Sequence, residues 1–413
     1  MDKTVLIIGT LDTKGAEIAY LRDRIQALGL QTIVVDDGIL GEPLGITLDP
    51  VKDVSRAEAA KFGGTTLQDL RNAGSRGKAV AGMREALKKL ALEFYHQGKI
   101  HAVVSMGGAE GAVMGAAAMM QLPAGVPKVL VSPIASGKHY FDPLVGTSDI
   151  MVVHSIVDIL GLNPIATTIF DNVAAALKGL VEYGHVLPPP KSGDRYVAVT
   201  MLGNTTKAVM ALKTRLSEEG YEAVIFHSNG VGGPAMEALA EAGQFVGVID
   251  FTTNEIFDPM HGGIHDGGPE RLKRVGLAGV PQVAVPGCVD FCVFHAGHLP
   301  PHLQGRPVYD HNPEYTLVRA THDEMIELGK IFARRLNLSK APVVLAIPTQ
   351  GLSIPNTPGG VFWNPEADAA FLKAVRGEIR EDIPVYTFER HVNSAEFGVE
   401  VANLFLALME KTK

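Results

Sequence analysis

The chain has 413 residues, 46% of them hydrophobic and 20% charged, with a net charge of -8 at pH 7. That length exceeds one ordinary core and predicts two domains, and the composition excludes disorder. No basic run or arginine-rich stripe is present, so no nucleic-acid partner is expected.

Met1-Asp2-Lys3 leads straight into "TVLIIG", a strand, with no signal-peptide pattern before it. A helix is expected over "GAEIAYLRDRIQALG", with Ile18, Leu21, Ile25 and Leu28 on one face. "QTIVVD", "HAVVSM" and "KVLVSP" follow as further strands, nearly continuous in apolar residues. That is the pattern of a parallel sheet buried on both faces. A long helix over Pro164 to Tyr183 precedes "HVLPPPKSGD", a linker signal. The alternation then restarts with "RYVAVTML", "EAVIFH", "QFVGVID", "PQVAVP", "PVVLAIP" and "IPVYTF", and closes on a helix. The expected fold class is α/β. Two doubly wound Rossmann-like domains, residues 1–187 and 194–413, enclose an interdomain cleft.

No apolar run reaches the length of a membrane helix, so no membrane partner is expected. The two cysteines, Cys288 and Cys292, do not form a CxxC pair and read as small residues of a buried strand. So few thiols in a chain this long predict a reducing, cytoplasmic setting.

The strand-to-helix turns carry the chemistry. The first runs Gly9-Thr10-Leu11-Asp12-Thr13-Lys14-Gly15. It is neither a Walker A loop nor GxGxxG. Either Asp12 or Thr13 caps the helix, or Thr13 and Lys14 point at a phosphate bound on the helix N-terminus. "SMGGAEG" is the stronger signal: Gly107, Gly108 and Gly111 open a helix after a buried strand and predict close backbone approach to an anion. "VSPIASGKHY" offers Ser136 and Gly137 in an imperfect P-loop tail. The doublet Asp36-Asp37 ends the second strand, where an acid binds ribose in dinucleotide folds; Asp36 is the favoured member. In the second domain, Asn229, Gly230, Gly232 and Gly233 repeat the anion-binding logic, as does the turn from Gly203 to Thr206. His261, His265, His295 and His391 are general acid/base candidates, Lys14 is a further catalytic candidate, and no tight zinc spacing is found.

Taken together, "IGTLDTKGAE", "SMGGAEG", "HSNGVGGPAMEAL", "TTNEI", "FWNPEADAAF" and "ERHVNSAEFG" resemble a family of uncharacterised bacterial and fungal proteins. Its best-known relative is the N-terminal inhibitory domain of the tomato mosaic virus resistance protein. The resemblance spans essentially the whole chain. It implies two Rossmann-like subdomains, ATP binding with magnesium, and a homodimer or higher homo-oligomer. On matching motifs it implies a nucleotide site at Gly9, Thr10, Asp12, Thr13, Lys14, Gly107, Gly108 and Gly111, and Asp12 is the expected magnesium ligand. The family pattern often has aspartate where this chain has Asn364 and Ser394. The expectation is an ATP-binding protein with possible magnesium-dependent turnover. The alternatives are an enzyme for a small anionic metabolite of sugar-acid type in the cleft, and a nucleotide-gated regulatory module.

Overall fold

The computed structural model describes residues 3–135 and 142–412. The chain divides into two compact units, Met1–Pro188 and Pro189–Lys413.

The first unit runs β1 (Thr4–Gly9), α1 (Leu11–Ala27), β2 (Gln31–Asp36), α2 (Arg56–Phe62), α3 (Leu67–Arg71), α4 (Arg76–His96), β3 (Ala102–Met106), α5 (Ala109–Met119), β4 (Lys128–Ser132), α6 (Asp142–Val145), β5 (Met151–His154) and α7 (Pro164–Tyr183). Its sheet is parallel, in the order β2-β1-β3-β4-β5. Alternate residues of each strand serve opposite faces. Leu6, Ile8, Val103 and Leu130 meet Met83, Leu87 and Leu90 of α4 and Ala112 and Ala116 of α5. Val5, Ile7, Val104 and Val129 meet Ile18, Leu21 and Ile25 of α1 and Phe170, Val173 and Leu177 of α7. This two-sided burial is why the strands read as unbroken apolar runs. The strand order reverses between β1 and β3, so their carboxyl ends flank a switch-point crevice, where open α/β sheets bind ligands.

The second unit runs β6 (Tyr196–Met201), α8 (Thr206–Glu218), β7 (Glu222–His227), α9 (Gly232–Glu241), β8 (Gly247–Thr252), α10 (Arg274–Leu277), β9 (Gln282–Gly287), β10 (Phe291–His295), β11 (Val308–Asp310), β12 (Tyr315–Arg319), α11 (His322–Leu336), β13 (Val343–Pro348), α12 (Pro365–Glu378), β14 (Val385–Phe388) and α13 (Ala395–Lys411). Six strands form a parallel sheet, β14-β13-β9-β8-β6-β7. One face packs α8 and α13 through Leu212, Leu216, Phe397 and Phe405. The opposite face rests on α11 and α12 through Phe332, Leu336, Phe371 and Val375.

The sequence reading misses a small antiparallel sheet, β10-β12-β11. Its strands have three to five residues, too few for an alternation to declare itself. The structure also corrects the reading of both cysteines as strand residues. Cys292 lies in β10, but Cys288 sits in the turn after β9 with φ of 61°.

The first helix begins four residues earlier than expected, at Leu11. The β1–α1 connection is therefore a single residue, Thr10. Asp12 and Thr13 lie inside the first turn and are not its caps. Asn364 and Ser394 both cap helices. Asn364 accepts the Ala367 N–H at 3.1 Å to start α12, and Ser394 accepts the Phe397 N–H at 3.2 Å to start α13. Aspartate serves the same purpose in that position, so these two departures from the family pattern are structurally neutral.

Candidate functional site

A cavity of about 930 Å³ opens at the switch point of the first unit. Its wall holds Thr10, Asp12, Thr13 and Lys14 from the start of α1, and Gly107, Gly108 and Gly111 from the start of α5. Ser75, Arg76 and Ala79 from the start of α4 complete it. The first turns of three helices thus line one space. Each carries partial positive charge and N–H groups without intrahelical acceptors. The α5 end is the most open. Gly108 is its N-cap and brings no side chain to close it. A Cβ on Gly108 would meet nothing within 4 Å, while one on Gly107 would press on the Gly111 backbone at 3.0 Å. Ile39, Leu40, Leu70, Val80 and Met114 form an apolar flank. Arg71 braces that flank by donating to the carbonyls of Ile39 and Leu40 at 2.7 and 3.3 Å.

The acids of the site divide their work. Asp36 does not line the cavity, which corrects the preference for it over Asp37. Its Oδ1 accepts the N–H groups of Leu11 at 3.3 Å and Gly38 at 2.9 Å, and its Oδ2 accepts Arg56 Nε at 2.7 Å. Asp36 is a brace that caps α1 from outside the helix. Asp37 is the cavity-lining member of the doublet. It is wholly buried, takes the Thr10 hydroxyl on Oδ1 at 2.6 Å, and has no partner for Oδ2 among the described residues. Burial pushes its carboxyl up to about 7 against the pull of the Thr10 hydroxyl, with Asp36 and Asp12 adding to the push.

Gly9 is not in the wall. A Cβ there would run into Ile18 Cδ1, so this glycine serves close strand–helix packing. Lys14 reaches the wall, but its ammonium is held by the Ile159 carbonyl and lies 3.7 Å from Asp158. Thr13 donates back to the Thr10 carbonyl at 3.4 Å. Ser136 and Gly137 fall outside the described residues.

Asp12 fits a magnesium ligand. Its Oδ2 accepts the Gly41 N–H at 2.9 Å, while Oδ1 is buried without a partner among the described residues. Among those residues no group of three or more His, Cys, Asp and Glu is placed to hold a metal. One protein carboxylate with phosphate oxygens and waters is an ordinary magnesium set.

The second unit overturns the expectation for its own glycine turn. Asn229 Oδ1 accepts the N–H groups of Val231 and Gly232 at 3.3 Å each, as a turn-former does. Gly230 and Gly233 donate their N–H groups to Glu255 Oε1 at 2.8 and 3.1 Å. Gly232 is required because a Cβ would strike the His227 carbonyl. The helix end does attract an anion, but the anion is the protein's own carboxylate. Glu255 is itself locked by Arg271 Nε at 2.6 Å, and Arg271 Nη2 binds Asp250 at 2.7 Å, all fully buried. The helix that follows the turn from Gly203 to Thr206 is capped by a neutral amide. Asn393 Oδ1 accepts the N–H groups of Lys207 and Ala208 at 2.9 and 3.3 Å.

Three of the four histidines are held by polar neighbours. His391 is braced by the Ser353 carbonyl at 2.9 Å and the Asn393 N–H at 3.1 Å, which ties up both ring nitrogens. His265 pairs with the Asn254 amide at 3.0 Å, and burial pushes it down to about 4, helped by His227 and His311. His261 lies 2.9 Å from Glu324 and 3.2 Å from His302. Burial holds it below the usual imidazole range against the pull of Glu324. His295 is exposed at the end of β10, its ring 5.8 Å from that of Tyr315.

Sequence reasoning weighed Asp37 but favoured Asp36, and it missed Ser75, Arg76 and the apolar flank. Ser75 and Arg76 lie more than sixty residues along the chain from Thr10, beyond any local motif. The signal within reach was the Ser-Arg step opening a long helix.

No helix among the described residues is long and apolar enough to cross a membrane. Among solved structures, a putative UDP-N-acetylglucosamine 2-epimerase from Listeria monocytogenes matches 100% of this chain and 97% of its own, at 12% identity and a TM-score of 0.23. That likeness is too loose to carry a site across. A UPF0261 protein of Clostridium tetani is 36% identical over 413 residues, all of both chains. The ToMV resistance protein Tm-1(GCR237) of Solanum lycopersicum is 31% identical over 430 residues, which take in 99% of this chain and 56% of the tomato protein. Residues 3–185 match the N-terminal domain, and residues 194–409 the C-terminal domain, of one uncharacterised protein family. The chain belongs to that family, UPF0261.

Proposed function

We propose that the first unit binds a nucleoside triphosphate, ATP, in the switch-point cavity. The observation that carries this reading is the convergence of the α1, α4 and α5 first turns on one space. Phosphates lie at the α5 end, on the N–H groups opened by Gly108. Arg76 reaches them from the α4 end. The apolar flank of Ile39, Leu40, Leu70 and Met114 takes the base, as ligand cavities pair an apolar wall with a few polar anchors. Asp12 holds the accompanying magnesium, which supplies charge neutralisation on the phosphates. The same reading takes the protein as a cytoplasmic homodimer. Two free, buried thiols suit a reducing compartment. The exposed Met151, Ile156 and Leu160 suit self-association.

Calorimetry with ATP and magnesium tests the reading, run beside Gly108→Val. The added side chain has room in the fold yet fills the phosphate cradle. Saturable binding lost in the variant, with an unchanged melting temperature, is the expected result. Equal affinity in both proteins removes the assignment. Phosphate release in the same sample separates an enzyme from a regulatory module. Competition by sugar acids marks the small-metabolite reading.

A further inference from the structure

We propose that Thr10 is a phosphoryl acceptor: its hydroxyl, activated by Asp37, takes the terminal phosphoryl group of the nucleotide bound in the first-unit cavity. This inference rests on the nucleotide reading above and adds a covalent step to it.

Threonine at a helix N-cap ordinarily accepts an N–H of the first turn with its side-chain oxygen. Thr10 occupies the N-cap of α1 and makes no such bond. Asp36 accepts the Leu11 N–H from another strand, and the Thr13 N–H goes to the Thr10 backbone carbonyl at 3.2 Å. The Thr10 hydroxyl instead donates to Asp37 Oδ1 at 2.6 Å. Asp37 stands behind it, fully buried, with its second oxygen unpartnered among the described residues. Thr10 itself is half-buried in the cavity wall. On its far side, a Cβ built on Gly111 would lie 3.4 Å from Thr10 Oγ1, so the hydroxyl faces the first turn of α5. A hydroxyl, a carboxylate that accepts its proton and a set of N–H groups aimed at the transferred group are the parts that phosphoryl transfer asks of a protein. The hydroxyl and the N–H groups stand at the starts of α1 and α5, and the carboxylate at the end of β2. The shifted carboxyl of Asp37 is poised to exchange a proton near neutrality, where a general base works best.

The step balances within these groups. The Thr10 O–H bond breaks and its proton passes to Asp37 Oδ1. A bond forms from Thr10 Oγ1 to the terminal phosphorus. The bond from that phosphorus to its bridging oxygen breaks, and the nucleoside diphosphate leaves with the electron pair. The product is a threonine phosphate ester facing α5, open to hydrolysis by water in a second step.

The test incubates the full chain with ATP and magnesium, then reads its intact mass and maps the modified peptide. Calorimetry runs on the same preparation. The expected result is one added phosphoryl group on the peptide carrying Thr10. It is absent in Thr10→Ala and retained in Thr10→Ser. In Asp37→Asn the labelling rate falls about 100-fold or more. ATP bound with no label, or label elsewhere, overturns the inference and leaves the nucleotide reading standing. No ATP binding at all overturns both.

Discussion

Thr10 and Asp37, twenty-seven residues apart, are joined by a hydrogen bond of 2.6 Å across the carboxyl ends of two neighbouring strands. The bond ties the β1–α1 turn to the end of β2. Its carboxyl is one of the few groups in the chain held near neutrality.

That carboxyl makes stability depend on pH. Asp37 is raised from 3.8 to about 7 by burial, then by the charges of Asp36 and Asp12, against Thr10 and Arg56. The folded chain therefore holds a proton that the unfolded chain releases. Its contribution is complete below the unfolded value and is lost as pH rises through about 7. Asp37→Asn removes the dependence. Relative to the parent, the variant gains on the order of 2 kcal/mol between pH 5 and pH 8. Denaturant melts at the two pH values check this.

Arg271 holds the second unit's filled anion turn together. Its side chain is fully buried against Asp250 and Glu255, with Glu237 at 3.8 Å. Truncating it strands these acids without a counter-charge. Arg271→Ala is expected to cost about 3–5 kcal/mol, measured as a loss of urea midpoint. Leucine at the same position does no better, because the acids remain.

The ion pair of Arg76 and Glu110, 2.6 Å apart on the rim of the cavity, is exposed and contributes little to stability. It does set the charge seen by an incoming anion. Glu110→Gln is expected to tighten ATP binding several-fold by freeing Arg76 and removing a repelling charge, and Arg76→Gln to weaken it similarly. Stability should stay within about 0.5 kcal/mol in both. Titrations at two salt concentrations check the electrostatic origin.

The two departures from the family pattern are tested by restoring the acid. Asn364→Asp and Ser394→Asp keep the capping oxygen, so thermal stability should hold within about 0.5 kcal/mol. Ser394→Ala should cost about 1 kcal/mol.

The parallel sheets were legible because both faces of their central strands are buried. Runs such as Thr4–Gly9 and Gly247–Thr252 carry that burial in their composition. The glycine turns were legible as helix starts, but not for what meets them. Gly108 and Gly233 look alike along the chain. Only the fold brings Glu255 and Arg271 onto the second and leaves a cavity beside the first. The choice between Asp36 and Asp37 had the same character. It turns on Arg56, which lies twenty residues away and claims the first of them.

The measurement that bears most directly on the nucleotide site is hydrogen exchange with and without ATP and magnesium. The account predicts slowed exchange in the first turns of α1, α4 and α5, around residues 10–14, 75–79 and 107–111, with β6 to β14 unchanged. Protection centred on the turns at 229–233 or 203–206, or none anywhere, would contradict it.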